Sequence, residues 1–366
     1  MRKEIFRMDR ASAIELLARA TTVHFASSTA EGEPVLRTMH ASTVGDWVLF
    51  HAAPAGEKMN VLGRRAVVSA EEFIASIPSY FVDPERACPA TTFYRSVQVH
   101  GTIERVDDAT LKTKMLAALM AKHQPEGGHV PIEADHPLYR KAIDGVLVFG
   151  LRLDVVDGKA KLGQNRSPAE ITRIVELLWA RGGAGDPRAV DLVLRAHPKL
   201  PVPRFLEAPD GVRLVCAMGE QDADEATEML RGTYWQEGTD PKKIRRSLLG
   251  SSAWVGARDA TGTLVAMARA ISDGGKRAWM YDVIVLPGRH GRGLGTAVVR
   301  LLLDHPEVRG VDHILLNTRD AQGFYERFGF RTRTVSPGSR LSEMILERTN
   351  GKVGVPSSYL LASVDG

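Results

Sequence analysis

Residues 279–296 read WMYDVIVLPGRHGRGLGT. An apolar run ends at Pro287, and Gly288, Gly291, Gly293 and Gly295 punctuate a short basic turn. Behind the turn, Leu294, Ala297, Val298, Leu301 and Leu302 recur at i, i+3, i+4, i+7 and i+8. That stripe predicts a helix packed on a sheet. A glycine turn leading into a helix suits a phosphate. The first N–H groups of a helix lack intrahelical partners, its dipole favours negative charge, and glycine lets a ligand approach the main chain. An ordinary tight turn would carry the same glycines, so the turn alone leaves both readings open. Two nucleotide patterns fail here. Leu294 stands where a Walker A loop needs Lys. Gly291, Gly293 and Gly295 lack one spacer of the dinucleotide fingerprint, and Asp312 opens a strand rather than closing one.

A second stretch, NTRDAQGFYERFGF at 317–330, narrows the choice. Ala321, Phe324, Tyr325 and Phe328 share one helical face, and Gly329 stops the helix. In this order, VIVLPGRHGRGLGTAVV and NTRDAQGFYERFGF resemble the two signature segments of the GNAT superfamily of N-acetyltransferases, over roughly residues 210–347. The resemblance implies a sheet that splays at WMYDVIVLP and holds acetyl-CoA in the opening. Val283 and Val285 of the strand, His290, Gly291, Arg292, Gly293, Leu294, Gly295 and Thr296 of the turn, and Asn317 would contact that cofactor. The family usually has Arg or Gln where this chain has His290. Tyr325 matches a tyrosine that protonates the leaving thiolate, a role a phenol can fill; a packed core aromatic is the alternative. Asn317 could equally cap a helix. Asp282 could accept the amine's proton, or be structural.

The chain has 366 residues, enough for two domains, with 44% hydrophobic and 25% charged residues. Its net charge of +4 is mild and lacks a basic run interleaved with aromatics, so nucleic acid is not an expected partner. No apolar run reaches the roughly 20 residues of a membrane-spanning helix. The N-terminal MRKEIFRMDRASAIELLARA lacks a signal peptide's apolar core and reads as an amphipathic helix with Ile14, Leu17 and Ala18 on one face, capped by Asp9 or Ser12. The expected compartment is the cytoplasm. Cys88 and Cys216 are far apart, which argues against a disulfide framework or a zinc site, and each is expected to be a buried thiol. No metal site is expected.

Residues 20–105 carry short strand-like runs between turns, with a helical KMNVLGRR at 58–65 and a helix near 108–123. Regular short strands predict a barrel or sandwich. SPAEITRIVELLWARGG (167–183) predicts a helix capped at Ser167 with Pro168 behind it. Pro198, Pro201 and Pro203 then stiffen a connector. Beyond it, strands and helices alternate.

EGEPVLRTMHAS (31–42), WVLFHAAPAGEKMNVL (47–62), AVVSAEEF (66–73) and ACPATTFYRSVQVHGTIERV (87–106) resemble the pyridoxamine 5′-phosphate oxidase-like split barrels, in particular the flavin-nucleotide-binding branch with the nitroimidazole-resistance proteins. The resemblance implies FMN at a homodimer interface. Arg37 and Lys58 would hold its phosphate, with Thr38, Met39, His51 and Ala52 beside the flavin and Ser96 as a hydrogen-bonding neighbour. Two cations suit a phosphate dianion; solvated surface charges are the alternative. If the barrel bound haem instead, His51, His40 or His100 would be the natural axial ligand.

The expected fold is α+β in two domains: an FMN-binding split β-barrel with C-terminal helices over 1–200, a GNAT mixed α/β sheet over 207–348, and a tail at 349–366. The expected function is acetyl-CoA-dependent N-acetylation of a small-molecule or protein amine, joined to an FMN-binding domain for which flavin-dependent oxidoreductase activity is a further expectation. The alternatives are a flavin- or haem-binding sensor with a non-catalytic GNAT fold, and a nitro- or flavin reductase.

Overall fold

A computed structural model describes residues 4–53, 60–209, 211–333 and 341–348. The chain forms two compact units, Met1–Ser76 with Thr91–Asn165, and Ile77–Ala90 with Arg166–Gly366. The expected tail, and all but residues 60–65 of the expected helix at 58–65, lie outside the described residues. Asn60–Gly63 form turns, not helix. Among the described residues no helix is long and apolar enough to cross a membrane.

The first unit opens with α1 (Arg10–Arg19), capped by Asp9, whose carboxylate accepts the Ser12 N–H. Its buried face is Ala13, Leu16 and Leu17, one position off the expected stripe. Strands β1 (Val23–Ser28), β2 (Pro34–Met39), β3 (Ser42–Val44), β4 (Trp47–Ala52), β5 (Arg65–Ile77), β6 (Thr91–Thr102) and β7 (Glu104–Val106) follow. Then come α2 (Ala109–His123), α3 (Arg140–Gly145), β8 (Leu147–Arg152) and β9 (Val155–Lys161). They build two sheets, ordered β2-β1-β5-β6-β9 and β3-β4-β8-β7. This is the expected split barrel. Phe25 meets Phe50 edge-on at 5.6 Å, and Phe50 stacks on Phe149 at 5.5 Å, so three rings join both sheets in one core. Gly150 lies in β8 where a Cβ would come 2.2 Å from the Val48 carbonyl, so only glycine fits there.

The second unit contains α4 (Pro168–Arg181), α5 (Asp186–Ala196), β10 (Val212–Val215), α6 (Ala223–Arg231), α7 (Pro241–Leu249), β11 (Ala253–Asp259), β12 (Leu264–Ser272) and β13 (Arg277–Val285). It continues with α8 (Leu294–Asp304), α9 (Pro306–Arg309), β14 (His313–Thr318), α10 (Gln322–Glu326), β15 (Arg331–Thr332) and β16 (Ser342–Glu347). One mixed sheet runs β10-β11-β12-β13-β14-β16-β15. The expected apolar stripe of α8 is buried throughout. Residues of α6 and α7 form a separate core with Trp254, Leu264 and Met267.

The helices α4 and α5, which the sequence reading places with the barrel, group with this second unit. Ser167 and Glu170 form the capping box that starts α4. The Trp179 indole donates to Asp304 at 2.7 Å, and Arg309 donates to the Trp179 and Ala180 carbonyls at the helix end. In α5 the buried Asp191 carboxylate accepts the N–H groups of Cys216 and Ala217, each at 3.0 Å. These bonds replace a boundary after residue 200 with one near residue 166. Cys216 is buried as expected, whereas Cys88 is exposed.

Burial raises Asp191 from 3.8 to about 6 and lowers His305 from 6.5 to about 4. Between these limits the folded chain keeps a proton at Asp191 that the unfolded chain has lost, so this group makes stability fall as pH rises. It also refuses at His305 a proton that the unfolded chain binds, so that group makes stability rise. The slopes oppose. Urea unfolding between pH 4.5 and 6 should show Asp191→Asn gaining stability with pH and His305→Asn losing it, each by about 1–2 kcal/mol relative to the parent. Tilts of the same sign in both variants would contradict this.

Candidate functional site

The site begins where a ladder ends. β13 and β14 run parallel, but their register stops after three pairs, the last being Trp279 with Leu315. Beyond Trp279 the two strands diverge, at the expected place. On its other edge β13 carries a bulge against β12: Met267 pairs with Ile284 and Arg269 with Tyr281, so Asp282 and Val283 together oppose Ala268. Asp282 takes φ 49°, a left-handed conformation that non-glycine residues adopt at a cost of about 1 kcal/mol or more.

Buried bonds hold that bulge. Asp282 accepts from Arg269 Nε at 2.6 Å, Trp235 Nε1 at 2.9 Å and Gln236 Nε2 at 3.2 Å. The Arg269 and Asp282 side chains are 7% and 3% exposed, a buried ion pair. Both oxygens of Asp282 are therefore engaged and its charge is matched by Arg269, an arrangement that fits the structural alternative for this residue.

Two cavities flank the splayed strand. One, of about 500 Å³, runs along the glycine turn, and its walls include Val283, Val285, His290, Leu294 and Thr296. Gly288, Gly291 and Gly293 take φ of 78°, 74° and 80°, which only glycine enters freely. Gly293 is the N-cap of α8, so the first N–H groups of the helix border this cavity. A Cβ on Gly295 would meet the Phe324 ring at 3.4 Å, an ordinary contact, so packing alone does not require glycine there. Arg289 is tied to Asp259 at 2.8 Å, and Arg292 is exposed. His290 Nε2 lies 3.0 Å from the Val285 carbonyl, so its ring latches the turn to the strand end.

The other cavity, of about 870 Å³, is lined by Tyr234, Trp235, Trp279, Tyr281, Asn317 and Arg319 among others. Val283 and Tyr325 line both cavities, so the two meet there. Tyr325 is buried, and burial pushes its phenol well above its ordinary range, so it holds its proton. Asn317 is exposed in β14 and does not cap α10. Thr318 Oγ1 takes the capping bond instead, accepting the Ala321 N–H at 3.1 Å.

Trp235, Gln236 and Arg269 escaped the sequence reading. They reach Asp282 from 47, 46 and 13 residues away, and no local pattern links them. The adjacent aromatics of TYWQ between two helices were the one available signal.

In the first unit, strand alternation divides the expected flavin residues. Arg37 and Met39 point to one face of β2 and Thr38 to the other. His51 is exposed on β4 while Ala52 is buried, again on opposite faces. Ser96, half-buried, lies on β6, three strands from β2 in the same sheet. Lys58 lies outside the described residues. The side chains of the described set therefore do not converge on one face of a single chain. The His40 and His123 rings lie tilted against each other with centres 4.8 Å apart.

A strand that splays beside a glycine turn and an N-terminal helix end defines an acyltransferase-like fold for the second unit. Residues 222–330 match the Acetyltransferase (GNAT) family, and residues 9–160 match the Pyridoxamine 5′-phosphate oxidase family. The chain thus joins a pyridoxamine 5′-phosphate oxidase-like domain to a GNAT domain. It is 34% identical over 92 residues to glucosamine 6-phosphate N-acetyltransferase 1 of Oryza sativa subsp. japonica, covering 25% of this chain and 56% of that protein. It is 38% identical over 93 residues to the chloroplastic serotonin N-acetyltransferase 2 of the same organism, covering 24% and 46%. The chain spans about half the length of these curated relatives. The solved flavocytochrome Anf3 of Azotobacter vinelandii aligns at 18% identity and a TM-score of 0.36, over 43% of this chain and 69% of that one.

Removing Arg269 would strand the buried Asp282 charge. Arg269→Met should cost about 3–5 kcal/mol in urea unfolding. Adding Asp282→Asn should restore at least half of that loss. No recovery in the double variant would mean that packing, not charge, sets the cost.

Proposed function

We propose that the second unit transfers the acetyl group of acetyl-CoA to an amine. The observation that carries this reading is the meeting of two cavities at Val283 and Tyr325. The cavity along the glycine turn offers helix N–H groups to a pyrophosphate. The larger one receives the amine. Past Trp279, the edge of β13 facing β14 has no ladder partner among the described residues, so its polar backbone groups are available to the extended arm of the cofactor. Kinship with proteins named N-acetyltransferases supports the same chemistry.

In the transfer, the amine nitrogen attacks the acetyl carbonyl carbon. The C–N bond forms, the C–S bond breaks, and the departing sulfur takes the proton of Tyr325. The proton shed by the nitrogen leaves through the larger cavity, and Tyr325 takes one back from solvent, so the acid is restored and the proton count closes. His290, turned back on Val285, closes the turn, and the main chain supplies the phosphate contacts.

For the first unit we propose FMN binding at a homodimer interface, with Arg37 and Lys58 on the phosphate and Thr38, Met39, His51, Ala52 and Ser96 around the flavin. The match over residues 9–160 supports a flavin-type fold. The exposure of Leu36 on β2 (64%) and Phe73 on β5 (63%) supports a covering partner. In one chain these residues supply only part of a site, so we derive no redox step through it.

Tyr325→Phe should lower kcat at least about tenfold while the Kd for acetyl-CoA, read by calorimetry, stays within twofold. An unchanged kcat would remove Tyr325 as the acid, and a collapse in binding would assign it to packing. Arg37→Ala with Lys58→Ala should purify without flavin absorbance; retained colour would sink the phosphate assignment.

A further inference from the structure

The larger cavity has a composition that singles out an acceptor. Three exposed aromatic side chains of this unit, Tyr234 (39%), Trp235 (41%) and Tyr281 (39%), line this cavity. The half-buried Trp279 joins them. Tyr234 meets Trp235 edge-on at 4.9 Å, and Trp279 stacks with Tyr281 at 6.2 Å.

The rings are held by neighbouring polar groups. The Trp235 indole donates to Asp282, the Arg269 guanidinium sits 4.8 Å from the Tyr281 ring centre, and that of Arg319 sits 3.7 Å from the centre of Tyr234. Rings fixed in this way accept a flat ligand with little further loss of side-chain freedom.

The charges bordering the cavity balance. Lys243, Arg269 and Arg319 stand with Glu237, Asp282 and Asp320. Arg269 pairs with Asp282, and Arg319 with Asp320 at 3.4 Å. Among the described residues no surplus of positive charge awaits a phosphate, and no surplus of negative charge awaits a polyamine.

We infer that the acceptor is a small amine carried on an aromatic ring, seated on Tyr234, Trp235, Trp279 and Tyr281. This rests on the acetyltransferase reading and narrows it. The ring stacks on the wall and the side-chain nitrogen reaches the junction at Val283 and Tyr325. The new amide bond forms there as the thioester bond breaks and the sulfur is protonated.

Calorimetric titration of the full chain saturated with coenzyme A tests this, with tryptamine, glucosamine 6-phosphate and spermidine as probes. Tryptamine should bind at least tenfold more tightly than either of the others. Trp235→Ala should weaken it at least tenfold. Trp235→Phe, which keeps a ring but loses the bond to Asp282, should recover most of the affinity. The inference is overturned if another probe binds as tightly, if none binds, or if Trp235→Ala leaves tryptamine unaffected. Failure of coenzyme A itself to bind would instead overturn the acetyltransferase reading, and the same titrations without it would still decide the ring preference.

Discussion

The buried pair between Arg269 and Asp282 sits where β13 has parted from β14 and where a bulge interrupts its ladder with β12. On one side the parallel ladder with β14 has ended at Trp279. On the other, the bulge breaks the register with β12. The ladder with β12 resumes at Ile284 and Val285, so β13 stays paired on that edge and open only toward β14. Here one carboxylate accepts from a strand and from the segment between α6 and α7, so a backbone in a costly conformation becomes the fixed edge of two cavities. Desolvating two charges is expensive unless the geometry satisfies both. The three donors to Asp282 satisfy its carboxylate, and the backbone opening follows from that.

How much of this was legible follows from range. The turn, the stripe on α8 and the stop at Gly329 are local patterns, and each appears where periodicity and glycine chemistry put it. The splay was legible through resemblance, because WMYDVIVLP and NTRDAQGFYERFGF occur in the order a GNAT sheet requires. The fate of Asp282 was not. Alternation says which face a strand residue takes, but a bulge resets it, and the donors come from distant segments. His290 was visible as a departure, yet its bond to Val285 depends on the turn's curvature, which spacing does not encode. The helices at 168–196 were legible as helices but not as part of the second unit, since the bonds to Asp304, Cys216 and Ala217 that fix them lie far along the chain.

In the barrel, the rule that made the strands readable also limits what they say about a site. Runs such as WVLFHA alternate between a core face and an outer face, and that alternation predicts the sheet. It also sends Arg37 and Thr38, or His51 and Ala52, in opposite directions. A ligand touching all of them needs backbone contacts or a second surface. Leu36 and Phe73 are among the apolar side chains this unit leaves exposed.

On the proposed reading, the larger cavity would favour a reactive amine even though Asp282, the carboxylate on the splayed strand, is already paired. Asp282 is paired, and Tyr325 is held protonated by burial, ready to donate rather than accept. An ammonium group drawn from water onto a wall of rings loses hydration, and that loss favours its neutral form. Attraction between a cation and a ring works against this, by up to about 2 kcal/mol when the cation is desolvated. The guanidiniums of Arg269 and Arg319 already lie against Tyr281 and Tyr234, leaving less of that attraction for the substrate. The cations that anchor the wall therefore also help keep the incoming nitrogen neutral, so ring recognition and amine activation draw on the same side chains.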